Sequence, residues 1–223
     1  MIVLGIEGAL GEFSAAVAID GTIVAQTARG GNVALESGLT VIDETLRAAK
    51  VRASSLERIA VGNGPGGFTG LRITVAYAKS LAQAWRLPLV AVSSFDTLEL
   101  GTELARCLCI VTGRPGVISA RFRDGDTVAR ASGPIAEVLG AVLPAPDKRP
   151  LAVIGASEGV LAALAEARFI VEARTPLVTP AAAAVALAGA RAHPSASAHE
   201  VRADYGEAPA AKIPSLTKAT PRR

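Results

Sequence analysis

Hydrophobic positions along the chain fall into two periods. Residues 2–7 (IVLGIE), 13–19 (FSAAVAI) and 22–29 (TIVAQTAR) are short apolar or alternating runs, with turn signals at Gly8 to Gly11 and at Asp20-Gly21. That pattern predicts three strands, the last two joined as a hairpin. From 35 to 50 the period changes: Leu35, Leu39, Ile42, Leu46 and Ala49 recur at helical spacing against Glu36, Asp43, Glu44, Arg47 and Lys50, an amphipathic helix. A strand at 57–62, a glycine-rich turn, a helix at 70–85 and a strand at 89–92 follow. The second half predicts the same order, with strands near 107–112, 117–123 and 126–130, the last two joined through Asp124-Gly125. A helix near 135–143, strand 151–154, helix 157–166, strand 168–172 and an alanine-rich helix 181–192 complete it. No residue-level repeat is visible, yet two β-β-β-α-β-α halves imply a duplicated α/β architecture in which helices cover mixed sheets. The crossing between halves is expected in a helix from Ser94 to Glu103.

Composition narrows the class. Half of the 223 residues are hydrophobic and 19% are charged, which excludes a disordered chain. Aromatic residues make up 4%, too few for a broad stacking platform for single-stranded nucleic acid. The start, MIVLGIEGAL, has no basic region and reads as a strand rather than a secretory signal. The apolar run Ala181 to Ala190 is too short to span a bilayer, which takes about 20 residues, so a soluble cytoplasmic protein is expected, without a membrane partner. Cys107 and Cys109 lie two apart in an apolar stretch and read as small core residues on one strand face. The net charge of +3 first points to an acidic partner. Residues 208–223 hold Lys212, Lys218, Arg222 and Arg223 without an acid, so the rest of the chain sums to −1. The basic character belongs to a Pro- and Ala-rich tail, expected to be flexible.

The most informative segment is Gly62-Asn63-Gly64-Pro65-Gly66-Gly67-Phe68-Thr69-Gly70-Leu71-Arg72, between a strand and a helix. Gly62, Gly64 and Gly67 formally satisfy G-x-G-x-x-G, but the strand is the fourth, and the next strand ends in Ser93-Ser94 rather than an acid that would hold a ribose. A P-loop fails because Phe68 stands where its lysine belongs. The segment then reads as a tight turn with Gly67 or Thr69 as N-cap. Metal catalysis finds only His193 and His199, six apart across Pro194, which is not one helical face. Ser93, Ser94, Thr69 and the two cysteines have no neighbouring His to activate them. Neither catalytic residues nor metal ligands are expected.

The run GPGGFTGLR (Gly64, Pro65, Gly66, Gly67, Phe68, Thr69, Gly70, Leu71, Arg72) followed by Ala78-Lys79 resembles the signature of the TsaB family, also called YeaZ. The likeness extends to MIVLGIEGA, to Val61-Gly62, to Pro88 through Ser94, and to a short Val201-Arg202 echo. The resemblance implies an actin/Hsp70-like (ASKHA, ribonuclease H-like) two-lobe fold: an N-terminal lobe over 1–100, a more divergent C-terminal lobe over 101–207 and the tail 208–223. It implies a noncatalytic partner of TsaD in forming N6-threonylcarbamoyladenosine on tRNA beside the anticodon, a scaffold on which a TsaE-like ATPase also docks. Under it the chain alone binds no cofactor, ATP or ADP belongs at the interface of the complex, and tRNA is reached only indirectly. The signature loop is then a candidate contact with a partner or an interface nucleotide. The alternative is an autonomous nucleotide-binding ATPase or kinase-like enzyme of the same fold. Two departures count against it: Glu7 stands where relatives usually carry Asp, and Val111-Thr112-Gly113-Arg114 lacks the acid common at the equivalent strand. The family's usual Ser is here Gly67, which removes a hydroxyl from the loop.

On a helical wheel of 70–85, Leu71, Val75, Ala78, Ala82 and Trp85 form one apolar stripe, and Ile73, Tyr77, Leu81 and Ala84 a second. A helix with two stripes is buried on two sides. The expected partner and homodimer face therefore comprises Leu35, Gly38, Leu39, Ile42 and Leu46 of the first helix with Ile73, Thr74, Val75, Tyr77, Ala78 and Leu81 of the second. Replacing Val75 or Tyr77 by Glu is expected to separate the dimer without unfolding the chain.

Overall fold

The computed structural model describes residues 1–30 and 34–206, and side chains throughout except at 34–36. The basic tail and the side chain of Leu35 therefore lie outside the described residues. Strands β1 (Ile2–Glu7), β2 (Phe13–Ile19), β3 (Thr22–Arg29), β4 (Arg58–Gly62) and β5 (Leu89–Val92) form one sheet in the order β3-β2-β1-β4-β5. Strands β6 (Arg106–Thr112), β7 (Val117–Asp124), β8 (Thr127–Pro134), β9 (Leu151–Ile154) and β10 (Val171–Arg174) form the other, in the order β10-β9-β6-β7-β8. Read from its opposite edge, the second order repeats the first. In both, the three leading strands meander antiparallel and the next two add parallel. The duplication expected from the element order is present.

Period-two alternation decides what each sheet face buries. Leu4, Ile6, Ile59 and Val61 point to α1 (Ala34–Ala48) and α2 (Phe68–Trp85), whereas Val3, Ala60 and Val90 point to the opposite face. That opposite face is covered by α6 (Ala181–Arg191), whose alanines let it lie close: a Cβ on Gly5 of β1 would strike the backbone of Ala182 and Ala186. In the second sheet Leu108 and Ile110 face α4 (Ile135–Val142) and α5 (Glu158–Glu166), while Cys107 and Cys109 share the other face with Phe95 of α3 (Ser94–Glu99). Burial pushes the Cys107 thiol up to about 11 and the Cys109 thiol further in the same direction, so both are inert core groups.

The third helices of the two halves are exchanged, α3 packing on the second sheet and α6 on the first. This corrects the expected grouping of 101–207 as one lobe, because α6 and residues 198–203 complete the packing of the first sheet. The crossing helix also stops at Glu99 rather than Glu103, followed by Gly101 at φ 81°. The last strand starts at Val171, not 168, since the turn after α5 runs through Arg168 at φ 66°. Among the described residues no helix is long and apolar enough to cross a membrane.

Candidate functional site

The glycine-rich turn sits at the ends of β4 and β5, where it meets the β1–β2 turn and the C-terminal stretch 201–206. At Gly64, Gly66 and Gly70 the close approach is made by the chain's own backbone. A Cβ on Gly64 would strike the Asp204 carbonyl, one on Gly66 the Ala9 carbonyl, and one on Gly70 the Gly8 carbonyl. Gly67, the N-cap of α2, donates its N–H to the Ala9 carbonyl at 2.8 Å and offers no side-chain cap. Ser94 N–H donates to the Gly64 carbonyl at 2.8 Å, and Asp204 N–H to the Asn63 carbonyl at 2.7 Å. The loop is thus a packing junction; Gly64, Pro65 and Leu71 are buried, whereas Phe68, Thr69 and Arg72 face outward. The backbone of Gly66 also lies toward Gly113, between β6 and β7, so the second sheet reaches the same place.

Glu7, the acidic group at the end of β1, is wholly buried. Its Oε1 accepts the N–H groups of Ala9 and, at 3.2 Å, of Leu10, while Oε2 fills the space a side chain at 62 would need and has no hydrogen-bond partner. Burial drives its pKa up from 4.5 to about 7, outweighing those backbone donors. A carboxyl so placed shapes the β1–β2 turn; it presents no exposed oxygen to the cleft.

Residues 201–206 form a strap that the sequence reading caught only as Val201-Arg202. Val201 is buried in the first sheet's core, the Asn63 amide donates to the Arg202 carbonyl at 3.2 Å, and the Asp204 carboxylate pairs with Arg130 of β8. Gly206, at φ 72°, lies against the mutually bonded Ser119 and Ser132 hydroxyls. Tyr205 lies 5.1 Å from Phe68, ring centre to ring centre, and the Arg72 guanidinium 5.2 Å from the same ring. No local signal joins Asn63, Arg130 and Tyr205, which are separated by many tens of residues.

The expected catalytic absentees are placed as follows. Ser93 caps α3 by accepting the Phe95 N–H, Ser94 is buried, and Thr69, His193 and His199 are exposed on separate segments. Among the described residues there is no group of three or more His, Cys, Asp or Glu that could hold a metal ion. A cavity of about 210 Å³ opens between Leu10 and Glu12, Thr97 and Leu98 of α3, and Pro176 to Ala181 ahead of α6. Its lining carries one carboxylate and no cation, chemistry unsuited to a phosphate.

Of the residues expected to form a partner face, Gly38, Ile42, Leu46, Thr74, Val75 and Ala78 are buried within this chain. That corrects the expectation for them: Ile42, Leu46 and Val75 fill the core under the first sheet, and Gly38 is small because the Tyr77 ring lies on it. Leu39 is 52% exposed, and Ile73, Tyr77 and Leu81 are half-buried. The accessible stripe therefore consists of these four, flanked on α2 by residues 198–200, where Lys79 donates to the His199 carbonyl at 3.3 Å.

Two sheets of like order with exchanged third helices define an actin/Hsp70-like α/β fold, and the ethanolamine utilization protein EutJ of Carboxydothermus hydrogenoformans shares it at TM-score 0.53 (12% identity, 84% of this chain and 90% of that one). A Pseudomonas aeruginosa protein with similarity to the peptidase YeaZ superposes at TM-score 0.73, with 22% identity over 92% of this chain and 99% of that one. The family model for TsaD, tRNA N6-adenosine threonylcarbamoyltransferase, matches residues 35–193. Such a transferase from Geobacter metallireducens is 39% identical over 113 residues, 43% of this chain and 33% of that protein. The tRNA threonylcarbamoyladenosine biosynthesis protein TsaB of Escherichia coli is 29% identical over 122 residues, 53% of each. The matched part thus spans between a third and a half of these curated relatives. The chain belongs to this threonylcarbamoyladenosine family, among its TsaB (YeaZ) members.

Proposed function

We propose that this chain acts in N6-threonylcarbamoyladenosine formation on tRNA as a noncatalytic partner of a TsaD-like transferase, with a TsaE-like ATPase docking on the pair. The observation that carries this reading is the apolar surface of α1 and α2 made by exposed Leu39 with the partly exposed Ile73, Tyr77 and Leu81. Contiguous apolar surface of this kind is characteristic of interaction sites. In the absence of the transferase, the same stripe pairs with its copy about a two-fold axis, since an isologous interface uses one patch twice. ATP or ADP, under this reading, binds where the subunits meet rather than in this chain alone. The autonomous ATPase reading needs a carboxylate facing the cleft from the end of β1, and Glu7 is instead sealed under the β1–β2 turn. Light scattering on this chain with and without its transferase tests the proposal. A dimer that gives way to a heterodimer is expected, and a monomer indifferent to the transferase rejects it.

A further inference from the structure

The strap 201–206 ties the two halves of the molecule together, a task the partner role leaves unused. The chain passes from the first sheet to the second through α3 and returns through residues 175–180 to α6. At these crossings α3 packs on α6. After α6, which lies on the first sheet, the strap reaches the second sheet once more. Its root is apolar: Val201 is buried, and Ala203 packs against the first sheet's core. Asn63 then accepts the Asp204 N–H at its carbonyl and donates its side-chain amide to the Arg202 carbonyl. The contacts that reach the second sheet are polar. The Asp204 carboxylate pairs with Arg130 of β8, and Gly206 lies against the Ser119 and Ser132 hydroxyls of β7 and β8.

Asp204 also connects to the crossing helix. Its partner Arg130 stands over the Phe95 ring of α3 at 5.0 Å, and Arg121 stands over the same ring at 5.2 Å while pairing with Asp96 and Glu99 of α3. The Gly64 carbonyl accepts the N–H of Ser94, the first residue of α3, and the Asp204 carbonyl occupies the place of a side chain at 64. Root and tip of the strap are held unequally. Val201 leaves its place only if the first core opens, whereas Arg130 is exposed and Asp204 half-buried, and an ion pair open to water is weak and screened by salt. An element so built lets go at its tip before its root. We infer that residues 204–206 are a latch: engaged, they hold the second sheet and α3 in their present arrangement; released, they leave the two crossings as a hinge about which the halves turn. The device works within one chain and needs no partner.

The test uses the full chain with spin labels at Gln26→Cys on β3 and Glu166→Cys at the end of α5, both exposed positions, while the native thiols are buried and stay unlabelled. The pulsed-resonance distance between the labels reports how the halves are arranged. One narrow distribution is expected for the otherwise unchanged chain. Asp204→Asn keeps an acceptor for the Gly206 N–H but loses the charge, and Gly206→Ala drives a Cβ into the two serine hydroxyls. Each is expected to add a second distance in at least about a tenth of the molecules. The unfolding midpoint is expected to move by no more than about 3 °C, which separates release of the latch from loss of the fold. Without any substitution, the Asp204 amide is expected to exchange its proton at least about tenfold faster than the amides of β4. Identical distances in the parent and both variants, or an Asp204 amide that exchanges only as slowly as β4, overturn the inference and make the strap a fixed part of the core. Light scattering with the transferase reports the partner role separately.

Discussion

At Glu7, the acid that ends β1, burial decides the chemistry. With its pKa near 7 in the folded chain against 4.5 in the unfolded one, folding takes up a proton between those values. Stability from this group is fully present below pH 4.5, declines as the pH rises through about 7, and is constant above. The total loss is roughly 3 kcal/mol. Glu7→Gln cannot ionise, so urea midpoints of variant and wild type should separate in favour of the variant as the pH rises from 4.5 to about 7 and keep a constant gap above that; an equal gap at pH 5 and 8.5 would show that the carboxyl is not held neutral. The loop glycines make a second residue-scale contrast. A side chain at 67 meets nothing nearer than the Ala9 carbonyl at 3.5 Å, whereas one at 70 runs into the Gly8 carbonyl. Gly67→Ser should be neutral or stabilising by a few tenths of a kcal/mol through its capping hydroxyl, and Gly70→Ala should cost about 2 kcal/mol or more, both read from thermal unfolding.

At the scale of elements, α2 has two apolar stripes, one filling the core and the other packed against it while staying partly exposed. The sequence showed both stripes, because helical spacing is local. It could not show how far each would be covered, because that depends on the Tyr77 ring lying over Gly38 and on residues 198–203 returning to the helix. The corrected face yields a discriminating pair of substitutions. Leu39→Glu with Ile73→Glu alters exposed or half-exposed positions and should leave the unfolding midpoint nearly unchanged while abolishing self-association and transferase binding. Val75→Glu places a charge in the core and should unfold the chain, at a cost of about 4 kcal/mol or more. A folded, monomeric Val75→Glu protein would reverse this division of the helix.

At the scale of the whole molecule, most strands and helices were legible because period-two and helical patterns, hairpin turns at Asp20-Gly21 and Asp124-Gly125, and the repeated order are written in neighbouring residues. The exchange of α3 and α6 between sheets was not, since an apolar helix of alanines fits either sheet until close approach to Gly5 and Ala60 selects one. The strap escaped for a similar reason: Asp204 finds Asn63 and Arg130 only after both sheets have formed. Of the candidate site, the signature loop was visible as a turn, and its tertiary partners were not. The central claim, that the chain assists a transferase without performing chemistry, is tested most directly by reconstituted modification of tRNA with threonine, bicarbonate and ATP. The assay contains the TsaD-like and TsaE-like proteins together with a separate synthase that supplies the threonylcarbamoyl group as an adenylate, and this chain is either present or omitted. Threonylcarbamoyladenosine is expected only when the chain is present, with no product and no ATP hydrolysis when the chain is incubated alone. Full product formation without it, or turnover of ATP by the isolated chain, would contradict the claim.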